Sequence, residues 1–299
     1  MKGTKQKITY AFAGVGGLAA LLIAWGFIEP RLLNTEQAVA EIPNLPAAWE
    51  GQQIGQLSDF QIGLWADNRG TARRSVEQMI EANPAAVLIS GDFIYHAKPD
   101  PSAEIEEAVS IVKPLVDAGI PTYAVLGNHD YGMSSKEAEP NTQLADSLEV
   151  ELEAAGIVVL KNESVAMRLP DSNEPLYLAA VGSLWANQDN AEAALADIPA
   201  GSPSVALMHN PDSFELFPEG TAPLAVAGHT HGGQIRLPNS PQWSWLRFTQ
   251  KDKVYADGWV EDSYGKPGNN LYVNVGIGMS IIPFRLFCPP EMTLFTLER

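Results

Sequence analysis

Residues 224–234 read LAVAGHTHGGQ: four apolar residues, a glycine, two histidines one residue apart, and two more glycines. A short apolar run bounded by glycine reads as a strand buried on both faces. Upstream, other apolar runs also end in polar residues. Gln53–Leu57 precedes Ser58-Asp59-Phe60-Gln61, and residues 85–90 precede Gly91-Asp92. Residues 121–126 precede Gly127-Asn128-His129-Asp130, and 205–208 precede His209-Asn210. In an open α/β sheet the ligand crevice lies beyond the carboxyl ends of the strands. Five strands ending in Asp, Asn or His therefore bring those groups to one edge.

Between these runs the spacing predicts amphipathic helices over 71–82, 102–118, 142–155 and 188–196. Further strands are predicted over 158–160, 176–181 and 271–275. Alternating strands and helices imply an α/β architecture. The strand-rich later part implies a second sheet, so the expected fold is two packed mixed sheets flanked by helices. No domain boundary is visible within 51–299, and the loops at 132–141 and 238–252 are the candidates for substrate-facing insertions.

The start of the chain differs in character. Residues 8–28 (ITYAFAGVGGLAALLIAWGFI) form an uncharged apolar run, long enough to cross a hydrocarbon core as a helix. Lys2, Lys5 and Lys7 precede it, which predicts a cytoplasmic N-terminus and an extracytoplasmic remainder. The expected organisation is a tail and membrane anchor over 1–29, a stalk over 30–50 and one catalytic domain over 51–299. Ala38-Val39-Ala40 lies too far past the run to favour a cleaved leader.

The 299 residues carry 36 acidic against 19 basic side chains, a formal net charge of −17. That balance disfavours nucleic acid as a partner, since phosphate backbones call for clustered Lys and Arg. One cysteine, Cys288, excludes a disulfide framework and a thiolate cluster and reads as a buried small hydrophobe. Oligomeric state is not legible.

The strand-end residues suit divalent cations. Carboxylate oxygen, amide oxygen and neutral imidazole fit Mn²⁺, Fe²⁺ or Zn²⁺. Of the five histidines, four stand at these strand ends: His129, His209, His229 and His231.

In this order and spacing the motifs resemble the calcineurin-like metallophosphoesterase superfamily, its membrane-anchored bacterial branch in particular. The resemblance covers roughly residues 43–299, the closing stretch from Val275-Gly276-Ile277-Gly278 to Cys288-Pro289-Pro290-Glu291 included. It implies two metal ions bridged by Asp92, the first also held by Asp59, Gln61 and His231, the second by Asn128, His209 and His229. It implies that His129 serves the leaving group as acid or charge stabiliser, oriented by Asp130, while water activated by the metals attacks phosphorus in line. One position departs from the family pattern: Gln61 stands where the family carries histidine, which predicts a weaker first site, a preference for oxygen-loving ions such as Mn²⁺, or a Gln61 that faces away and leaves the site partly filled.

The expected function is phosphoester hydrolysis outside the cytoplasmic membrane, on lipid-linked or envelope phosphoesters. The competing readings are an inactive metal-binding homologue and a nucleotide phosphodiesterase. His96, Arg236 and Arg285 are candidate substrate contacts, Gln234 and Asn274 candidate supports of the metal ligands, and Trp243 and Trp245 candidate lipid or substrate contacts.

Overall fold

The apolar runs are strands with two buried faces, and their odd and even residues go to different cores. In β3 (Ala86–Ile89), Val87 and Ile89 pack toward helices, while Ala86 and Leu88 pack toward the other sheet. In β8 (Ser204–Leu207) and β9 (Leu224–Ala227), Val205, Leu207, Leu224 and Val226 fill the layer between sheets. Their neighbours Ala206, Ala225 and Ala227 face the opposite helical layer. Such two-sided burial is why these strands read as continuous apolar runs.

The computed structural model describes residues 2–299 except 66–67, 96–99, 239, 245, 247–254 and 262; for 2–9, 11–13 and 241 it describes the backbone alone. In chain order the remaining elements are α1 (Lys2–Ile28), β1 (Asn34–Glu41), β2 (Gln53–Leu57), α2 (Arg69–Ala82), α3 (Ser102–Asp117), β4 (Thr122–Ala124), α4 (Thr142–Ala154), β5 (Val158–Val159), β6 (Glu163–Met167), β7 (Leu176–Ala180), α5 (Ala191–Leu195), β10 (Arg236–Leu237), β11 (Ser240–Ser244), β12 (Gly258–Trp259), β13 (Leu271–Val273) and β14 (Glu291–Glu298).

Two six-stranded mixed sheets result, ordered β1-β14-β2-β3-β4-β5 and β12-β13-β9-β8-β7-β6. Helices α2, α3 and α4 cover the first sheet through Val76, Met79, Ile111, Leu115 and Leu148. Helix α5 and the turn of 3₁₀ helix Pro211–Leu216 cover the second. The expected sandwich of two mixed sheets between helices is therefore the observed one.

The stalk expected over 30–50 is a correction. Asn34–Glu41 is a strand pairing in parallel with β14 from Asn34↔Glu291 to Glu41↔Glu298. Ile42, Leu45 and Trp49 are buried in the core between the sheets. The segment belongs to the folded unit because β14 offers a free edge that needs a partner.

Helix α1 covers the apolar run. Among the described residues no helix is long and apolar enough to cross a membrane. Part of the predicted span, 8–9 and 11–13, lies outside the residues whose side chains are described.

Candidate metal centre

Strands β2, β3, β8 and β9 run in parallel within their sheets and, with β4, end at the same edge of the sandwich. The turns that follow are tight, and several hold non-glycine residues in left-handed backbone: Asp59 (φ 52°), Gln61 (52°), Asp92 (57°), His229 (71°) and His231 (49°). Each such residue stores about 1–3 kcal/mol of backbone strain, and strain of this kind gathers at functional sites. Gly127 and Gly228 allow the close approach, since a side chain at the first would run into Asp92 and at the second into Ser58 and Asp59.

The ligand-type atoms form two groups that share Asp92. Asp92, His209 and His229 present atoms within 4.8 Å of one another, and so do Asp59, Asp92 and His231. His209 Nδ1 lies 2.7 Å from the carbonyl of Ser90. A ring N–H there must donate, which leaves Nε2 facing the site, 3.4 Å from Asp92. Asn128 donates Nδ2 to Met133 O at 2.8 Å, which turns Oδ1 inward, 2.9 Å from His229 Nδ1 and 3.1 Å from His209 Nε2. Asn128 Oδ1 thus lies beside the second group.

Gln61 joins the first. Its Nε2 donates to Asp92 Oδ2 at 2.8 Å and lies 3.3 Å from His231 Nε2. Its Oε1 is buried with no hydrogen-bond partner. Turning the amide over would aim that oxygen at the Asp59–Asp92–His231 group.

Electrostatics point the same way. Burial above all pushes Asp59 up to about 7, with His209 opposing and Asp92 adding to the rise. Burial also acts to raise Asp92, but the charges of His209 and then His129 outweigh it and hold that carboxyl below its ordinary range. Asp92 in turn overcomes the burial of His209 and lifts it to about 9. Burial and the neighbouring His209 push His229 down to about 3; burial and then Arg285 push His231 well below the imidazole range. Two buried carboxylates and three imidazoles share one edge with little positive charge to answer them, and a divalent cation would supply it. The donor set, oxygen and imidazole without thiolate, fits Mn²⁺, Fe²⁺ or Zn²⁺.

His129 lines the same cleft of about 350 Å³, and its ring stacks on Tyr95 at 5.0 Å. Asp130, expected to orient His129, holds three backbone N–H groups. Its Oδ2 accepts from the backbone N–H of Asp92 (2.9 Å) and Gly127 (2.8 Å), and its Oδ1 from Ile94 (3.1 Å). It fastens the two ligand loops together. Tyr95, against which the His129 ring stacks, was not singled out in the sequence; an aromatic three residues past Asp92 was its one signal.

Two substrate expectations are corrected. Arg285 is fully buried, and its guanidinium donates to the carbonyls of Val275 (2.9 Å), Gly276 (3.0 Å), Gly278 (2.6 Å) and Cys288 (3.0 Å), leaving no fork for a phosphate. Arg236 donates to Phe287 O at 2.7 Å and pairs with Asp257, outside the cleft lining. His96 and Trp245 lie outside the described residues. Trp243 is exposed.

Gln234 is not against the metal ligands but clamps a loop, accepting from Ser280 N at 2.7 Å and donating to the Ser280 and Ile282 carbonyls. Asn274 supports one ligand indirectly, fixing Gly276 N at 2.7 Å beneath Asp59. Trp185, edge-on to His229 at 4.8 Å, walls the cleft with Ile235, Leu246, Ile281 and Ile282. Ser134 and Leu246 bring the two expected variable loops to it.

The chain matches the family described as calcineurin-like phosphoesterase over residues 53–233. Phosphodiesterase YaeI of Escherichia coli is 32% identical over 219 residues, covering 73% of this chain and 72% of that protein. Metallophosphoesterase YkuE of Bacillus subtilis is 26% identical over 272 residues, covering 91% and 88%. UDP-2,3-diacylglucosamine pyrophosphatase LpxG of Chlamydia trachomatis is 24% identical over 320 aligned positions, covering 93% and 94%.

Proposed function

The chain belongs to the calcineurin-like phosphoesterase family and is a hydrolase, and from that premise we propose that it cleaves a membrane-associated phosphoester with a pair of divalent cations. The observation that carries this is the sharing of Asp92 by two groups of ligand atoms. When bound, the cations neutralise phosphate charge and activate water. Asp92 would bridge them, Asp59, Gln61 and His231 completing one side and Asn128, His209 and His229 the other.

The protein's own groups set the rest. Ser90 and Met133 carbonyls fix the tautomer of His209 and the amide of Asn128, so no reorganisation is needed as charge develops. His129, braced on Tyr95, is placed to give a proton to the departing oxygen. Trp185, Ile281 and Ile282 exclude water from one wall.

The membrane part of the reading rests on residues 8–28 and the lysines before them, with the catalytic domain outside the cytoplasm. A lipid-linked substrate is supported by that placement, by the apolar wall, and by a relative named for a diacylglucosamine substrate. The net charge of −17 disfavours a polynucleotide.

The test is hydrolysis of bis-p-nitrophenyl phosphate and p-nitrophenyl phosphate by the full chain in nanodiscs, stripped of metal and then given Mn²⁺, Zn²⁺ or Fe²⁺. Turnover restored by metal and abolished in Asp92→Asn is the expected result. A folded wild-type chain that binds metal and turns over neither ester would leave the inactive metal-binding reading in its place.

A further inference from the structure

Ile281 is a β-branched residue with φ 63° and is 67% exposed. β-Branched side chains rarely adopt that backbone, and exposing one to water gains nothing. The loop is nevertheless held firmly. Gln234, three residues past His231, clamps Ser280 and Ile282 with three hydrogen bonds. Trp65, itself 73% exposed, donates Nε1 to Ile281 O at 3.3 Å. The fold therefore displays Ile281, Ile282 and Trp65 as a fixed apolar lip, and both isoleucines also line the metal cleft.

The same loop is joined to α1. Arg285 N donates to Gly26 O at 3.0 Å, and the Phe284 ring meets Phe27 edge-on at 5.3 Å. Glu29, just past α1, accepts from Phe287 N, Cys288 N and Trp25 Nε1. Exposed Leu21, Trp25, Phe27 and Ile28 continue the apolar surface down the helix. Beside the exit of α1, exposed arginines gather in an otherwise acidic chain. Arg74 reaches Arg31 O at 2.8 Å, and Arg69 and Arg73 stand on the same helix, both beside Glu107. Apolar tips flanked by tryptophan and arginine match the layers of a lipid interface.

We propose that the loop around Ile281 and Ile282, with Trp65, enters the surface of the lipid bilayer, so that the mouth of the metal cleft opens at the acyl–headgroup boundary. The inference rests on the membrane anchoring proposed above and extends it. The catalytic domain does not hang from the anchor as a free head but is seated on the membrane by a second contact.

Depth-resolved quenching tests it on the full chain in zwitterionic phosphatidylcholine–phosphatidylethanolamine nanodiscs. Cys288 is fully buried, so cysteines introduced singly as Ile281→Cys, Ile282→Cys, Leu18→Cys, Val150→Cys or Leu216→Cys take an environment-sensitive fluorophore, with the unsubstituted chain as the labelling control. Val150 and Leu216 are exposed on the two outer helical layers. The expected result is loss of emission at 281 and 282 to a shallow spin-labelled lipid more than to a deep one, as insertion of about 5–10 Å requires, with 150 and 216 unaffected. Emission at 281 and 282 unmoved by lipid quenchers while 18 is quenched would overturn this contact and leave the anchor standing. Loss of quenching at 18 as well would sink the membrane reading itself. A blue shift at 281 that ignores lipid quencher but follows the number of chains per disc would assign the lip to a second copy, which also overturns it.

Discussion

The chemistry of the site is set by how few positive charges answer Asp59 and Asp92. Without metal, protons fill that role: His209 is lifted to about 9 and Asp59 to about 7. Cation binding must displace them, because a ligand is a lone pair. At pH 7 loading should release about one to two protons per chain, and affinity should fall as pH drops. Calorimetry of Mn²⁺ binding in buffers of different ionisation enthalpy reads that number; zero release would mean the charge balance is wrong. Gln61 sets a second test. Its amide nitrogen faces Asp92, so loading also requires the amide to turn. Gln61→His, restoring an imidazole, should tighten the weaker of two calorimetric sites by on the order of tenfold, about 1.4 kcal/mol. An unchanged isotherm would show that Gln61 is not a ligand. Asp130 is different in kind. Asp130→Ala leaves three buried N–H groups without acceptors and should lower stability by about 3 kcal/mol in chemical denaturation, whereas Asp130→Asn, which keeps one acceptor oxygen, should lose less.

Between elements, one buried carboxyl ties the two sheets together. Glu291 of β14 accepts at Oε1 from Tyr272 of β13 (2.9 Å), Asn274 (3.2 Å) and Thr293 (2.7 Å). Burial, and then Asp257, push it from the ordinary 4.5 up to about 8. The folded state thus holds this proton more tightly than the unfolded chain. That stability is full below pH 4.5, declines as pH rises toward 8, and amounts to at most about 5 kcal/mol. Thermal melts of wild type against Glu291→Gln across that range should show the wild-type advantage shrinking with pH; parallel curves would refute the assignment. Sequence reading could not find this network. Glu291 follows Pro289-Pro290 and looks like a loop, and its strand was not predicted. Of the strands it did find, β2, β3, β8 and β9 are buried on both faces and so spell apolar runs. Nearly all the metal-type residues were legible for the same reason, standing directly after those runs. Tyr95, the Ser90 and Met133 carbonyls and the backbone N–H partners of Asp130 were not, because they act through backbone atoms or ring stacking that no motif encodes.

At the scale of the whole molecule, the segment between α1 and the catalytic core decides how the protein can be cut. Residues 30–50 read as a stalk because they hold Pro30, Pro43 and Pro46 and show no long periodic pattern, yet residues 34–41, in parallel with β14, close the edge of the first sheet. The strand is an edge strand open to solvent along most of its length, with Ala40 turned into the core. Removing β1 would bare an eight-residue run of β14, an invitation to pair with another copy. Removing α1 alone leaves that sheet whole but strips Gly26 and Glu29 from the 284–288 loop if the cut falls after Arg31. Two truncations separate these effects. A chain beginning at residue 29 should remain monomeric, with a cooperative melt close to that of the full protein. One beginning at residue 42 should melt roughly 5–10 °C lower, the shift for about 2–3 kcal/mol in a domain of this size, and should self-associate with concentration on size-exclusion chromatography. Equal melting temperatures and equal elution for the two would mean that β1 is dispensable and that residues 30–50 behave as a stalk after all.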